Sequence, residues 1–430
     1  QRGPNELIAS FRPRSPVQLD HVPVLHDVLP THLLAIELGA AVSDEMAPEQ
    51  LLNQLEADPT LLAATHHDAP PRHHSLAAVF EHSWNLLTDE ERDSLARLSV
   101  FRGSFTATAA EAVSGASQQT LARLARKSLV EEREGERFGW HTLLREYAGT
   151  KLSQRPEAAA ESGARHLRHY GALVGQLARQ GLTTRESGAR MEAEIDNIRQ
   201  AWLAAAAAGA FKFLENLYMP LATYYLWRDR NEEGLTLFQQ AQALVGDKVR
   251  AAADSDAAGD ERGALGYLVI GQALLTLNAD LDKAASLADE AVRLLAPVAR
   301  SYHMANALMF RGDAARLQGR PQAAIADLEE ALAIFEGQPG PPVYLLAGLH
   351  RAAMAYNHAG RHERAAALGQ RCVTLAREVG FEQSVAAGLM DRGVAAWGQG
   401  NRREAGDRLQ EALDVARTTG RERLIADALF

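Results

Sequence analysis

Small residues recur at fixed intervals through the C-terminal half of the chain, and this recurrence restricts the fold more than any other feature. Gly312, Ala324 and Ala331 are separated by 12 and 7 residues, as are Ala353, Ala365 and Cys372, and again Gly393, Ala405 and Ala412. Gly271, Ala284 and Ala291 follow the same scheme with one extra residue in the first gap. The copies succeed one another every 40 or 41 residues. Each copy holds two amphipathic helices, A and B, with small side chains where the two must approach closely. A unit of this kind cannot bury its apolar face alone, so the copies are expected to stack into a solenoid. Gly319, Gly360 and Gly400 fall at one point of the repeat and suit the left-handed position that ends helix A. A solenoid is first of all a binding surface.

The 430 residues allow two or three domains or one repeat array. A hydrophobic content of 47% and a charged content of 23% are those of an ordinary globular protein, and the Ala- and Leu-rich, aromatic-poor text favours helix. A net charge of −10 argues against a broad nucleic-acid-binding surface, which would carry a basic excess. Cys372 is the single cysteine, so no intrachain disulfide exists and a reducing cytoplasm is the expected compartment. No apolar run reaches the roughly 20 residues needed to span a bilayer, so no membrane contact is expected. The chain begins at Gln1 and ends at Phe430 inside what reads as a further repeat helix, as expected of a fragment of a longer protein.

Residues 1–70 are irregular at first, then give short helices at Leu33–Val42 and Ala47–Leu55 and a Pro-punctuated linker, His66–His74. Residues 71–155 have a different rhythm. A helix capped by Ser75 leads to a second that opens on a Thr88/Glu91 capping box. FTATAAEAV gives a third, closed by Gly115, and SQQTLARLARKSL a fourth. Two short strands then flank a charged turn, Glu132–Glu136, before a closing helix, LLREYAGTKL. This is the order of a winged helix-turn-helix domain. From 156 to 262 a helical bundle opens the repeat array, which occupies 263–430. The expected fold class is therefore mainly α: a short helical segment, a winged-helix domain with a small β wing, and a right-handed TPR-like α-solenoid.

Several motifs together resemble one family. "DAPPRHHSL" followed by "SWNLLTDEERDSLARLSVFRGSFTATAAEAV", then "GWHTLLREYA", "MEAEIDNIRQAW" and "YYLWRDRNEEGLTLFQQAQAL", resemble the middle and C-terminal parts of bacterial STAND regulators. These are NB-ARC-type signalling ATPases of the SARP and MalT-like groups. The resemblance implies a nucleotide-binding region switched by ATP and ADP, an N-terminal effector that often binds DNA, and a C-terminal TPR sensor. It implies that His141 stands where the family has the histidine of its Met-His-Asp motif, beside ADP phosphates, although Trp140 and Thr142 replace its neighbours; the plain alternative is a half-buried histidine satisfied within the wing. It also points to Pro30 as the remnant of the family's sensor proline, displaced by three positions. No Gly-x-x-x-x-Gly-Lys-Ser/Thr loop occurs, so this chain is not expected to hydrolyse ATP or to hold a cofactor by itself. ADP or ATP would bind in the full-length protein.

The remaining candidates each carry a plain alternative. Arg123, Arg126 and Lys127 on the fourth predicted helix, the third of the winged-helix core, could read DNA or could be solvated charges at a helix end. In the resembled family this domain packs internally, which leaves DNA to a missing effector domain. His66, His67, His73 and His74 lack a nearby cysteine and an ordered second shell, so no metal is expected. Tyr218, Tyr224, Tyr225 and Trp227 fall at core spacing or form an aromatic cage. For a protein, peptide or small-molecule effector, the candidate contacts are the polar residues of the A helices: Arg311, Asp313, Arg351, Asn357, Asp391 and Arg392. Each could equally be a solvated surface residue, and self-association is also possible. The expected function is the sensor and autoinhibitory arm of an ATP/ADP-switched regulator. The alternative is a TPR scaffold without nucleotide switching.

Overall fold

The computed structural model describes residues 80–180, 185–251, 258–297, 301–338 and 340–418. The expected helices at Leu33–Val42 and Ala47–Leu55, Pro30, the Ser75 cap and the linker histidines lie outside the described residues. The chain divides into two units, Gln1–His169 and Tyr170–Phe430.

In the first unit, helical residues 80–85 precede α1 (Asp89–Leu98), β1 (Phe105–Thr106), α2 (Ala107–Ser114), α3 (Gln118–Arg126), β2 (Glu131–Arg133), β3 (Arg137–Gly139) and α4 (Thr142–Ser153). The helix starts follow from capping. Thr88 accepts from the Glu91 amide while the Glu91 carboxylate accepts from the Thr88 amide, closing the capping box. Thr106 and Ser117 cap α2 and α3 with their hydroxyls alone, which accept from the Ala109 and Thr120 amides. Gly115 ends α2 with φ of +77°.

The sheet is larger than the two-stranded wing the sequence suggests. Its order is β1-β3-β2, antiparallel throughout, with Phe105 opposite Phe138 and Glu132 opposite Phe138 on the other side. The run FTATAAEAV is thus not all helix: its first two residues form β1 and the helix starts at Ala107. Phe105 is fully buried, and its ring stacks 4.5 Å from Phe101. Burial and strand pairing together override the local helical text. Leu129 and Val130 are buried in the core just before β2.

α5 (Pro156–Gln180) contains the division between the units. The second unit continues with α6 (Arg185–Ala208), α7 (Phe211–Trp227), α8 (Asn231–Ala251), α9 (Ala258–Thr276), α10 (Leu281–Leu295), α11 (Tyr302–Leu317) and α12 (Pro321–Gly337). It ends with α13 (Pro342–His358), α14 (His362–Val379), α15 (Glu382–Gly398) and α16 (Arg402–Thr418). Neighbouring helices in sequence pack on each other, and α7, α9, α11, α13 and α15 also pack each on the next. This is the expected α-solenoid, with those five as the A row.

The recurrent small residues sit where the helices touch. Ala284, Ala291, Ala324, Ala331, Ala353, Ala365, Cys372, Ala405 and Ala412 are all buried. The Cys372 thiol is pushed up to about 12 by burial and then by the nearby Asp391 charge, so it is inert packing. Each A helix of the last three copies ends in one motif: the residue after Gly319, Gly360 or Gly400 donates its amide to a carbonyl five residues back. The three glycines have φ between +70° and +80°. The α7/α8 turn uses the same bonds with Asp229 at φ of +55°. A fifth copy of the skeleton is therefore present at Ala222, Gly234 and Ala241, with the same spacings of 12 and 7.

Between repeats, backbone approaches backbone at Gly369 of α14 and Gly388 of α15. A Cβ on Gly388 would lie 2.8 Å from the Gly369 carbonyl oxygen and 2.9 Å from Val373 Cγ2. Gly388→Ala is expected to destabilise the last repeats by about 1–3 kcal/mol, because backbone must move to admit the methyl. Denaturant unfolding of the variant checks this, and an unchanged midpoint would refute the close approach.

Candidate functional site

Successive A helices of the second unit face one another, and polar side chains on the facing sides build a row of ionic contacts. His350 of α13 and Asp391 of α15 are one repeat apart, and Nδ1 of the ring lies 2.8 Å from Oδ2 of the carboxylate. Asn357 Nδ2 donates to the Asp391 carbonyl at 3.0 Å, while its Oδ1 lies 3.2 Å from His362 Nδ1. Asp313 of α11 is 4% exposed and accepts from Arg316 Nε and Nη2 at 2.9 and 2.6 Å. Its other oxygen is 3.4 Å from Arg351 Nε of α13, an ion pair without hydrogen-bond alignment. The Arg351 guanidinium also lies 5.3 Å from the centre of the Phe310 ring.

Burial acts to raise the Asp313 carboxyl, but Arg351 and Arg316 outweigh it and hold the group below the usual carboxylate range. For His350 burial acts to lower the ring, and the Asp391 carboxylate outweighs that and raises it. Asp391 itself is raised, because its burial exceeds what His350 returns.

The six candidate effector contacts thus separate into two groups. Asp313, Arg351, Asn357 and Asp391 belong to one row, and three of them are buried. They are not solvated surface residues, the alternative the sequence left open. Arg311 faces the B helices instead, with Nε and Nη2 at 2.8 and 2.7 Å from the two Asp327 oxygens of α12 and Nη1 at 3.4 Å from Asp289 of α10. Arg392 is half-buried, and burial followed by Arg408 lowers its pKa. Neither joins the row. Sequence reasoning missed Arg316 and His350. The available signal was the repeat itself, since His350 and Asp391 lie within one residue of the same repeat position in neighbouring copies.

A second cluster lies at the start of the A row. Tyr218 of α7 is buried, as are Tyr224 and Tyr225, so these side chains are core. Yet the Tyr218 hydroxyl reaches His303 of α11, 3.0 Å from Nδ1, and receives Asn306 Nδ2 at 2.8 Å. His303 Nε2 lies 3.1 Å from Glu215 Oε1. Half-buried Tyr267, Tyr302 and Tyr344 surround the pair.

In the first unit, the basic residues of α3 turn toward α1. Arg123 contacts Glu90 at 3.0 Å and Glu91 at 3.2 Å, and Lys127 contacts Glu91 at 3.1 Å. Glu91 is only 2% exposed. Burial opposes its ionisation, but the Thr88 amide and Lys127 prevail and lower its pKa. Arg126 is exposed. With Arg123 and Lys127 engaged inside the unit, α3 does not present the basic face that a DNA-reading helix needs.

His141 is the N-cap of α4, exposed, with Nδ1 accepting the Leu143 amide at 3.3 Å. It is not the half-buried histidine of the plain alternative. One turn on, Arg145 Nη1 donates to the Arg102 carbonyl at 3.3 Å. Burial and the Arg102 charge lower the Arg145 pKa, so two guanidinium groups stand close together near the start of α4.

The chain matches no family model. A "Putative HTH-type transcriptional regulator" of Mycobacterium tuberculosis is 32% identical over 216 residues, which are 48% of this chain and 24% of that protein. An uncharacterized protein of the same organism is 36% identical over 147 residues, 32% of this chain and 37% of that protein. The chain thus spans about a quarter of the length of the regulators it matches and just over a third of the uncharacterized proteins. Among solved structures, a STAND protein with a tetratricopeptide repeat sensor from Pyrococcus horikoshii aligns over 92% of this chain and 67% of its own, at 15% identity and a TM-score of 0.36. The apo form of RapI aligns over 62% and 68%, at 14% identity and a TM-score of 0.39. The solenoid architecture rests on its own helix pairing and not on these likenesses.

Proposed function

We propose that this chain is the sensor and autoinhibitory arm of a STAND-type regulator switched by ATP and ADP, of the SARP/MalT-like group and transcriptional in its output. The observation that carries the reading is the chain order: capped helices with a small antiparallel sheet, which we read as a winged helix, followed by a solenoid. The sequence similarity to a "Putative HTH-type transcriptional regulator" across 48% of the chain supports it. The A row suits a sensor, because neighbouring repeats are joined by buried ionic contacts that a bound protein, peptide or small molecule would perturb. DNA contact would belong to an effector domain outside this chain, the arm would perform no chemistry, and the protein would work in the cytoplasm, with self-association in the open state.

Within this reading His141 contacts the ADP phosphates. An exposed ring at the N-terminus of a 12-residue helix, with Arg102 and Arg145 close by, suits an anion. The test is ADP titration of the protein including its part upstream of Gln1. His141→Ala is expected to weaken ADP about tenfold, the loss of one charge-assisted contact. Equal ADP affinity in the two proteins would remove His141 from the switch and favour a plain scaffold.

A further inference from the structure

The cluster at the start of the A row is a chain of hydrogen bonds that runs from Glu215 through His303 and Tyr218 to Asn306. Burial, opposed by Glu215, brings His303 down to about 4, so its ring is neutral near pH 7. A neutral ring facing a carboxylate carries its proton on Nε2, which donates to Glu215. Nδ1 must then accept, so the Tyr218 hydroxyl donates to it. That hydroxyl in turn accepts from Asn306 Nδ2. The protons that join these four groups are thereby assigned, and each end of the chain of bonds carries an acceptor. One is the Glu215 carboxylate. The other is Asn306 Oδ1, which has no hydrogen-bond partner although the residue is fully buried.

Around these acceptors lie aromatic faces. Tyr302 and Tyr344 stack at 5.8 Å with 13° between planes, Tyr267 lies 4.2 Å from the His303 ring, and Tyr302 lies 3.8 Å from it. All three tyrosines are half-buried rather than enclosed. Burial, then the Glu215 and Asp260 charges, hold the Tyr267 phenol up at about 12, a sign of the negative field at these rings. Aromatic faces beside a carboxylate attract a positive charge.

The cationic partner Glu215 has in this structure is Lys212, one turn back on the same helix, with Nζ 2.9 Å from both oxygens. The Lys212 side chain is 76% exposed, so this is a weak surface pair that another cation can displace.

We propose that Glu215, Tyr267, Tyr302 and Tyr344 form a binding site on the A row for an organic cation bearing N–H donors, a guanidinium foremost. A guanidinium presents a flat π-face to the tyrosines and a fork of donors to the carboxylate. Lys212 occupies the carboxylate when the site is empty. The site gives the proposed sensor a ligand class, and its meaning as an effector site rests on that reading.

The test is calorimetric titration of this chain with N-acetyl-arginine amide, its neutral isostere N-acetyl-citrulline amide, and tetramethylammonium. The arginine compound is expected to bind about tenfold or more tightly than either of the others, since citrulline lacks the charge and tetramethylammonium the donors. Glu215→Gln and Tyr302→Ala should each lose about tenfold, while Lys212→Met should gain about threefold by removing the competitor. A gain cannot come from misfolding, so Lys212→Met keeps the test decisive even if Tyr302→Ala unfolds. Absence of arginine binding, equal binding of citrulline, tighter binding of tetramethylammonium, or no gain in Lys212→Met would each overturn the site. None of these results bears on ADP retention, so a failed site and a failed sensor reading are separable.

Discussion

Asp313→Ala is expected to cost about 3–5 kcal/mol of local stability, because it strands a buried cation. The carboxylate accepts two hydrogen bonds from Arg316, and Arg316 is itself only 6% exposed. Removing Asp313 leaves that guanidinium without its counter-charge and withdraws the ion pair with Arg351 of the next A helix. Because repeats are held mainly by their neighbours, the loss should be local to α11–α14 and not spread evenly along the solenoid. Hydrogen exchange resolves this: protection should fall in those helices and persist in α7 and α8. By contrast Arg311→Ala breaks a pair at the partly exposed edge, with Arg311 at 30% exposure, and should cost about 1 kcal/mol or less. Equal effects of the two substitutions would show that Asp313 and Arg316 are not a buried pair in solution.

The second large effect is acid sensitivity through His303. Its folded pKa, about 4, lies below the ordinary value of 6.5 because the ring is buried, which outweighs the support of Glu215. The unfolded chain therefore takes up a proton first as pH falls. The contribution is fully present above about 6.5 and is lost progressively as pH drops toward 4, by roughly 3 kcal/mol. Denaturant unfolding at a series of pH values should show this slope for the second unit. His303→Gln, which can still accept from Tyr218 and donate to Glu215, should flatten it. A slope that survives the substitution would place the acid sensitivity elsewhere, with His166 of the first unit, brought down to about 3 by burial, as the next buried candidate.

The solenoid was legible because the repeat positions are fixed by backbone approach, and approach demands small residues wherever two helices touch. The copy at Ala222, Gly234 and Ala241 obeys the same rule but is masked in the sequence. Asp229 replaces its turn glycine, and 49 residues rather than 41 separate Ala222 from Gly271. The capping box and the left-handed glycines were legible because their chemistry is local. β1 was not, since Phe105 becomes a strand residue only through pairing with Phe138, 33 positions on. The inward turn of Arg123 and Lys127 was hidden for the same reason, as their partners Glu90 and Glu91 lie over 30 residues away. The helix face of each effector candidate was not legible. Polar residues on A helices were identified, but the helix face they occupy separates Arg311 and Arg392 from the row, and face is decided by packing.

The central claim is that the solenoid controls a nucleotide switch, and the rate of ADP release tests it most directly. The rate would be measured on the protein including its part upstream of Gln1, wild type against His350→Gln, which loosens the α13–α15 contact with little loss of packing. A sensor arm transmits such a change, so ADP release should shift by about fivefold or more, the range of ordinary coupling between sites. An identical rate, with both proteins folded and the exchange pattern of α13–α15 altered, would contradict the account and leave a scaffold that only joins partners.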